Sequence, residues 1–282
     1  MNRTPEITRR RLLGLGGLAA LGASLPASLS ATGTAARAGS GKKGLGIATR
    51  NPRWAGLLTE LRCRWFYSWG PSVPDGKPKD VEFIPMIWGK YHNAERIAEI
   101  GEAAKRAGIT ELLGYNEPDQ ASQANMTVEQ ALDGWPSLEQ TGMRLGSPGC
   151  VHPDRQWMID FMEGVAEREL RVDFVCVHSY GGPNARGLVN RLRKVHEMFG
   201  RPLWITEFAV GDWEAKSAAE NRHRPEAVLR FMEEVLPMLD KLDFVERYAW
   251  FPAMPDNRAL GTSALFDEHG ALTRLGECYR DA

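Results

Sequence analysis

Phe174-Val175-Cys176-Val177-His178-Ser179-Tyr180, a helical pattern over residues 186–199, Gly200, and then Leu203-Trp204-Ile205-Thr206-Glu207-Phe208 form the stretch that decides the architecture. Both flanking segments are short apolar runs rich in β-branched and aromatic residues, which read as buried strands. Apolar residues between them recur at helical spacing, and glycine stands where the helix should stop. Two strands joined by a helix of this length lie parallel, because a parallel pair needs a crossover of about a dozen residues or more.

The same unit repeats outward from there. Strand candidates cover residues 45–48, 64–68, 82–88, 111–116, 144–147, 174–180, 203–208 and 246–251. Helical patterns cover residues 94–107, 128–140, 155–169, 186–199 and 225–239, and Ala107-Gly108 supplies a second glycine stop. Eight strands with helical crossovers predict a single-domain (β/α)8 barrel rather than an open sheet. One crossover is irregular: residues 70–80, between strands two and three, are too rich in proline and glycine for a full helix.

The N-terminus lies outside this pattern. Thr8-Arg9-Arg10-Arg11-Leu12-Leu13 places a twin arginine before a glycine-interrupted apolar run that ends near Leu25, and Ala36-Arg37-Ala38 follows. That layout predicts a cleaved twin-arginine secretion signal over residues 1–38, with the barrel domain at residues 39–282 and a secreted or periplasmic product. The apolar run is shorter than the roughly 20 residues a membrane span requires.

Residues 1–38 carry five arginines and one glutamate, so their removal shifts the net charge from −1 to −5 and leaves 244 residues. An acidic chain has no electrostatic reason to bind nucleic acid or anionic lipid. The reading is of a monomer with neither nucleic-acid nor membrane partners after signal cleavage. Cys63, Cys150, Cys176 and Cys278 are scattered with no C-x-x-C pair, and Cys176 reads as a small buried hydrophobe. His92, His152, His178, His196, His223 and His269 form no H-x-H or H-E-x-x-H pair, so the expectation is no metal and no cofactor.

A barrel of this kind keeps its chemistry at the C-terminal ends of the strands. Two carboxylates sit there: Glu117 closes strand four in Leu113-Gly114-Tyr115-Asn116-Glu117-Pro118-Asp119, and Glu207 closes strand seven. Both end apolar runs, an odd place for a surface ion. Glu111, Glu163 and Glu246 read as ordinary solvated or strand-edge carboxylates. Asp119 caps the turn after Pro118 or meets a ligand, the two readings standing level. Trp54, Trp135 and Trp157 fall on helical faces and read as packing residues.

An ordered series of motifs carries a family resemblance. It comprises Trp65-Phe66-Tyr67-Ser68-Trp69, Phe83-Ile84-Pro85-Met86-Ile87-Trp88-Gly89, Asn116-Glu117-Pro118-Asp119, Leu145-Gly146-Ser147-Pro148, Val177-His178-Ser179-Tyr180-Gly181 and Trp204-Ile205-Thr206-Glu207-Phe208-Ala209. The chain resembles glycoside hydrolase family 128, the β-1,3-glucanases of clan A. Two positions depart from that pattern: Ser68 stands where the family usually carries asparagine, and Ser179 where it often carries a bulky aromatic. Smaller groups there imply a wider pocket beside the cleaved sugar, or a shift in which chain positions are gripped.

The resemblance implies a retaining, endo-acting β-1,3-glucanase with β-1,3-glucan as its partner. It assigns Glu117 as acid/base and Glu207 as nucleophile, the two-carboxylate arrangement that glycoside cleavage requires. Asn116 is then expected to hydrogen-bond the sugar 2-hydroxyl. His178 and Tyr180, on one face of strand six, are expected to orient Glu207 or contact the sugar, although His178 also reads as a plain core histidine. Trp250 is expected to point inward at the end of strand eight and stack on the sugar at the cleaved bond. Trp69, Trp88, Tyr67 and Tyr115 are further platform candidates. Three other functions compete: a β-glucan-binding protein without turnover, a clan A hydrolase acting on a β-1,4-glycan, and a metal-dependent barrel hydrolase.

Overall fold

The computed structural model describes residues 41–282. The secretion-signal expectation, at residues 1–38, lies outside them. Eight strands alternate with helices: β1 (Lys43–Gly46), α1 (Trp54–Glu60), β2 (Trp65–Tyr67), β3 (Glu82–Phe83), α2 (Ala94–Arg106), β4 (Glu111–Leu112), α3 (Val128–Glu139), β5 (Arg144–Leu145), α4 (Gln156–Glu167), β6 (Val175–Gly181), α5 (Ala185–Phe199), β7 (Leu203–Val210), α6 (Pro225–Asp240), β8 (Val245–Trp250) and α7 (Arg274–Asp281). As expected, no helix forms between β2 and β3.

Six strands form one parallel sheet in the order β3-β2-β1-β8-β7-β6, and β4 pairs with β5. Parallel bridges from Met86 to Leu113 and from Gly146 to Phe174 join the two sheets at both seams. The ring is therefore closed, and the fold is the (β/α)8 barrel. The strands β3 to β5 are shorter than their apolar runs because the ladder is interrupted. Pro85 has no N–H to offer, and the Met86 N–H turns aside to the Gly70 carbonyl at 3.1 Å.

The helices start and stop where local chemistry directs. Asn93 accepts from the Arg96 N–H to cap α2, and Ile97, Ile100, Gly101 and Ala104 form its buried stripe. Thr127 and Gln130 make a reciprocal capping box on α3. α5 ends at Gly200 with φ +61°, a left-handed turn that glycine adopts without steric cost. α1 has no side-chain cap and only seven residues, so Trp54 alone announced it.

The core has two layers. Inside the ring lie Trp65, Tyr67, Ile84, Met86, Leu113, Phe174, Cys176, Trp204 and Ala249. Between ring and helices lies a larger cluster that includes Phe66, Tyr115, Trp135, Phe208, Tyr248 and Trp250. The inner layer holds large rings because glycines stand opposite them: a Cβ on Gly44 would come 2.3 Å from the Trp65 ring, and one on Gly146 would come 2.5 Å from Phe174.

The lower end of the barrel is plugged by ions and rings. The Arg247 guanidinium lies 4.3 Å from the Trp204 ring centroid and pairs with Glu82 at 2.6 Å. Arg144 grips Glu246 through two bonds of 2.7 and 2.8 Å. Glu246 is thus a structural partner, and chemistry is left to the opposite, C-terminal end. Among the described residues no helix is long and apolar enough to cross a membrane.

Candidate active site

β4 leads directly into the first carboxylate. Beyond Leu112 the chain runs up beside its neighbours, with the Asn116 N–H on the Trp88 carbonyl (2.9 Å) and the Glu117 N–H on the Gly149 carbonyl (2.8 Å). Glu117 then adopts φ +43°, a left-handed conformation unusual for a residue with a side chain and found most often where function demands it. The following loop folds back through Gln120 N–H to Glu117 O (3.0 Å) and Met126 N–H to Pro118 O (3.0 Å). Asp119 accepts from the Val151 and His152 N–H groups at 3.0 and 3.1 Å, so it ties two loops together. Its carboxylate therefore caps the neighbouring loop at Val151 and His152, and not the turn after Pro118.

β7 places the second carboxylate by means of a bulge. Ile205 pairs with Val177 but Glu207 pairs with the next residue, His178. The β7–β8 register slips at the same place. Thr206 is the extra residue. It turns Glu207 toward the barrel axis although Trp204, three positions earlier, also faces inward.

Around Glu207 three donors converge. Its Oε1 accepts from the Tyr67 hydroxyl and the Trp69 indole N–H, both at 2.8 Å, and its Oε2 accepts a short bond from the Tyr180 hydroxyl. Burial, then the neighbouring Glu207 charge, raises both phenols well above the usual tyrosine range. They remain protonated donors through the neutral range. Trp69 reaches its place with φ +56°, a second left-handed residue in the same site.

His178 joins the two carboxylates. Its Nδ1 lies 2.8 Å from Glu117 Oε1 and 3.7 Å from Glu207 Oε2. Burial opposes charging this ring, but the Glu207 charge and the hydrogen bond to Glu117 outweigh it, and the imidazole pKa is raised. Its far edge packs on Gly149, where a Cβ would stand 2.7 Å from Nε2. One atom each from Glu117, His178 and Glu207 lie within 4.8 Å of one another, a grouping that could hold a metal ion. No linear motif announced it, because the residues come from three strands.

Several predicted residues meet here and others do not. Glu117, Glu207, His178, Tyr180 and Trp69 are joined by the bonds above. Asn116 lies beside Glu117, with its Nδ2 donating to Gln123 Oε1 at 3.3 Å and its buried Oδ1 without a protein partner. Trp88 is half-buried beside Asn116 and stacks on Tyr91, with centroids 5.9 Å apart. Tyr67 is fully buried. It is a support beneath Glu207 and not a sugar platform. His178 is likewise fully buried and touches the carboxylates, where a sugar-contact role had been one expectation.

Two expectations fail outright. Trp250 has no exposed surface. It faces the helix layer, 4.9 Å from Phe208, with its indole N–H on the Ser263 carbonyl at 2.9 Å. The inward residue of β8 is Ala249, because Trp65, Trp204 and Phe174 already fill the interior. Tyr115 is also buried, set edge-on against Trp135 at 5.8 Å. Ser179 alternates outward as well and lines a groove with Asn184, Leu188 and Phe231, so its small size does not widen the site.

Reading the sequence missed Phe251, Trp213 and Tyr91. Phe251 stands edge-on to both Trp69 (5.9 Å) and Tyr180 (5.6 Å), the position expected for Trp250. Trp213 is 55% exposed and Tyr91 70% exposed. Each lies in the segment that follows its strand, so the signal was an aromatic beyond a strand's C-terminal end.

A family model described as glycosyl hydrolase catalytic core matches residues 44–279. Comparison with curated protein sequences gave no match. Among solved structures, the chain is similar to a family 128, subgroup I, endo-β-1,3-glucanase from Amycolatopsis mediterranei in complex with laminaritriose. That match has 37% identity and a TM-score of 0.72, over 85% of this chain and 98% of that one. A subgroup III, curdlan-specific exo-β-1,3-glucanase from Blastomyces gilchristii, in complex with glucose, matches at 32% identity and TM-score 0.68, over 86% of this chain and 98% of that one. A subgroup VII oligosaccharide-binding protein from Trichoderma gamsii shares the fold at 20% identity and TM-score 0.65, over 86% of this chain and 93% of that one.

Proposed function

Because this chain belongs to glycoside hydrolase family 128, within the glycosyl hydrolase catalytic core family, we propose that it hydrolyses β-1,3-glucan within the chain, with retention, by a two-glutamate double displacement. The observation that carries this reading is the spacing of Glu117 and Glu207, which present carboxylate oxygens within 4.8 Å of each other. Retaining sites hold their carboxyls about 5–5.5 Å apart, and inverting sites leave about 6.5–9.5 Å for a water.

In the first step a Glu207 oxygen attacks the anomeric carbon and forms a glycosyl ester, while Glu117 gives its proton to the departing glucan oxygen. In the second step Glu117 takes a proton from water, whose oxygen attacks the same carbon and releases Glu207. The three donors on Glu207 fix the direction of attack, so little of the approach geometry is left to chance. His178 holds the Glu117 carboxyl in place. The buried Oδ1 of Asn116 has no protein partner, which supports the reading that this residue bonds the sugar 2-hydroxyl. The Amycolatopsis enzyme supports internal cleavage.

The Trichoderma protein motivates a second reading, an oligosaccharide-binding protein without turnover. The complete Glu117–His178–Glu207 arrangement favours catalysis. Incubation with laminarin, followed by NMR of the first products, tests both. Reducing ends that appear first as the β-anomer, in a ladder of oligosaccharides, are the result expected. First-formed α-anomer refutes retention, glucose alone refutes internal cleavage, and no products favour the binding reading. The twin-arginine segment Thr8-Arg9-Arg10-Arg11 further supports export, and N-terminal sequencing of protein recovered outside the cytoplasm should begin after Ala38.

A further inference from the structure

The loop after β7 presents an aromatic ring that the two-glutamate mechanism does not use. Trp213 is 55% exposed, yet it is restrained at three points. Its indole N–H donates to the Tyr180 carbonyl at 3.2 Å. Its own carbonyl accepts from Arg258 Nη1 at 3.1 Å, and the same atom of Arg258 reaches the Ala215 carbonyl at 2.9 Å. Its ring stands edge-on to Tyr180, with centroids 5.8 Å apart and planes at 82°.

The loop itself is braced at both shoulders. Asp212, almost fully buried, accepts from the Arg222 N–H at 2.9 Å, and its own N–H donates to the Ala259 carbonyl at 2.9 Å. Asn221 donates to that same carbonyl at 2.8 Å. A ring held this firmly has lost its rotamer freedom before any ligand arrives, so an apolar partner that lands on it meets little entropic cost.

Position narrows the partner. The Tyr180 hydroxyl bonds Glu207, so Trp213 stands one aromatic ring away from the nucleophile. Phe251 meets Tyr180, and Trp69 meets Phe251, so the aromatic run continues from Tyr180. We propose that Trp213 is the platform of a preformed remote subsite, which takes the flat C–H face of a β-linked glucosyl unit beyond the sugar being cleaved. β-Linked glucose carries its hydroxyls around the ring edge and exposes axial C–H groups on its faces, which suit the electron-rich face of an indole. The subsite rests on the glucan reading above, and it gives that reading a chain-length dependence.

The test uses the full chain with Glu207→Gln to stop turnover, titrated calorimetrically with laminari-oligosaccharides of two to six sugars. Affinity should rise in a step at the length that first reaches Trp213. Adding Trp213→Ala should remove that step, weakening the longer ligands by about tenfold or more, equivalent to about 1.4 kcal/mol. Trp213→Phe, which keeps a ring without the N–H, should keep most of the step. Equal weakening at every length would mean that the loop had merely loosened around Tyr180, and would overturn the subsite. So would no weakening at all. A Glu207→Gln enzyme that binds no laminari-oligosaccharide of any length overturns the substrate reading and the subsite with it, whereas unchanged binding in the Trp213 variants removes only the subsite.

Discussion

His178 Nδ1 lies 2.8 Å from Glu117 Oε1 and 3.7 Å from Glu207 Oε2, so one imidazole touches the acid/base candidate and faces the nucleophile candidate. A buried ring between two carboxylates is where burial and charge oppose each other. Here the carboxylates prevail, and the pKa is raised. A group raised on folding stabilises the protein in full below its unfolded value, about 6.5 for histidine. That contribution disappears as pH rises through the higher folded value. Thermal melts of wild type and His178→Asn should therefore differ most near pH 6 and converge in the alkaline range. A melting difference that is flat with pH would refute the charged-imidazole reading.

Glu117→Ala should lose roughly 10²–10⁴-fold in cleavage of laminarin, the usual contribution of a positioned proton donor. Aryl glucosides with good leaving groups should lose far less, and azide should restore activity by forming a β-glycosyl azide. Formation of the α-azide would place the enzyme among the inverting hydrolases. Glu207→Gln, by contrast, should abolish turnover on every substrate and accept no rescue of that kind.

Tyr180→Phe deletes one of three donors to Glu207. Hydrogen bonds to charged groups contribute about 1.5–3 kcal/mol, so kcat should fall by about one to two orders of magnitude with a small change in KM. The phenol is near the rim, and the melting temperature should move little. Tyr67→Phe deletes the partner bond from beneath. Because that ring is fully buried, its loss should lower both kcat and Tm. If neither variant alters kcat, the carboxylate is oriented by other means.

Trp250→Ala should behave as a core truncation. Its ring packs on Phe208 and toward Phe231 and Tyr279, so its removal should cost about 3–5 kcal/mol of stability. The fraction that stays folded should cleave laminarin at a rate close to wild type. A variant that melts normally but has lost activity would return Trp250 to the cleft.

The sequence by itself was enough to determine the barrel and to put two glutamates at the C-terminal ends of its strands. Apolar runs of strand length, amphipathic stretches between them and glycine stops are local properties, and eight such units admit few closed arrangements. A carboxylate that ends a buried strand is likewise visible without coordinates, which is why Glu117 and Glu207 could be picked from a linear string.

What only the tertiary structure decided is which face each ring took and which side chains met. Alternation along a strand gives relative parity, and the inside must be known from elsewhere. On β8 the interior was already filled by Trp65, Trp204 and Phe174, so Ala249 turned in and Trp250 turned out. On β7 the extra residue Thr206 reset the parity before Glu207, and no propensity scale marks one threonine as a bulge. The bond from His178 to Glu117 spans 61 residues. It crosses from the end of β4 to β6 over the intervening β5, so it exists only where these parallel strands stand side by side.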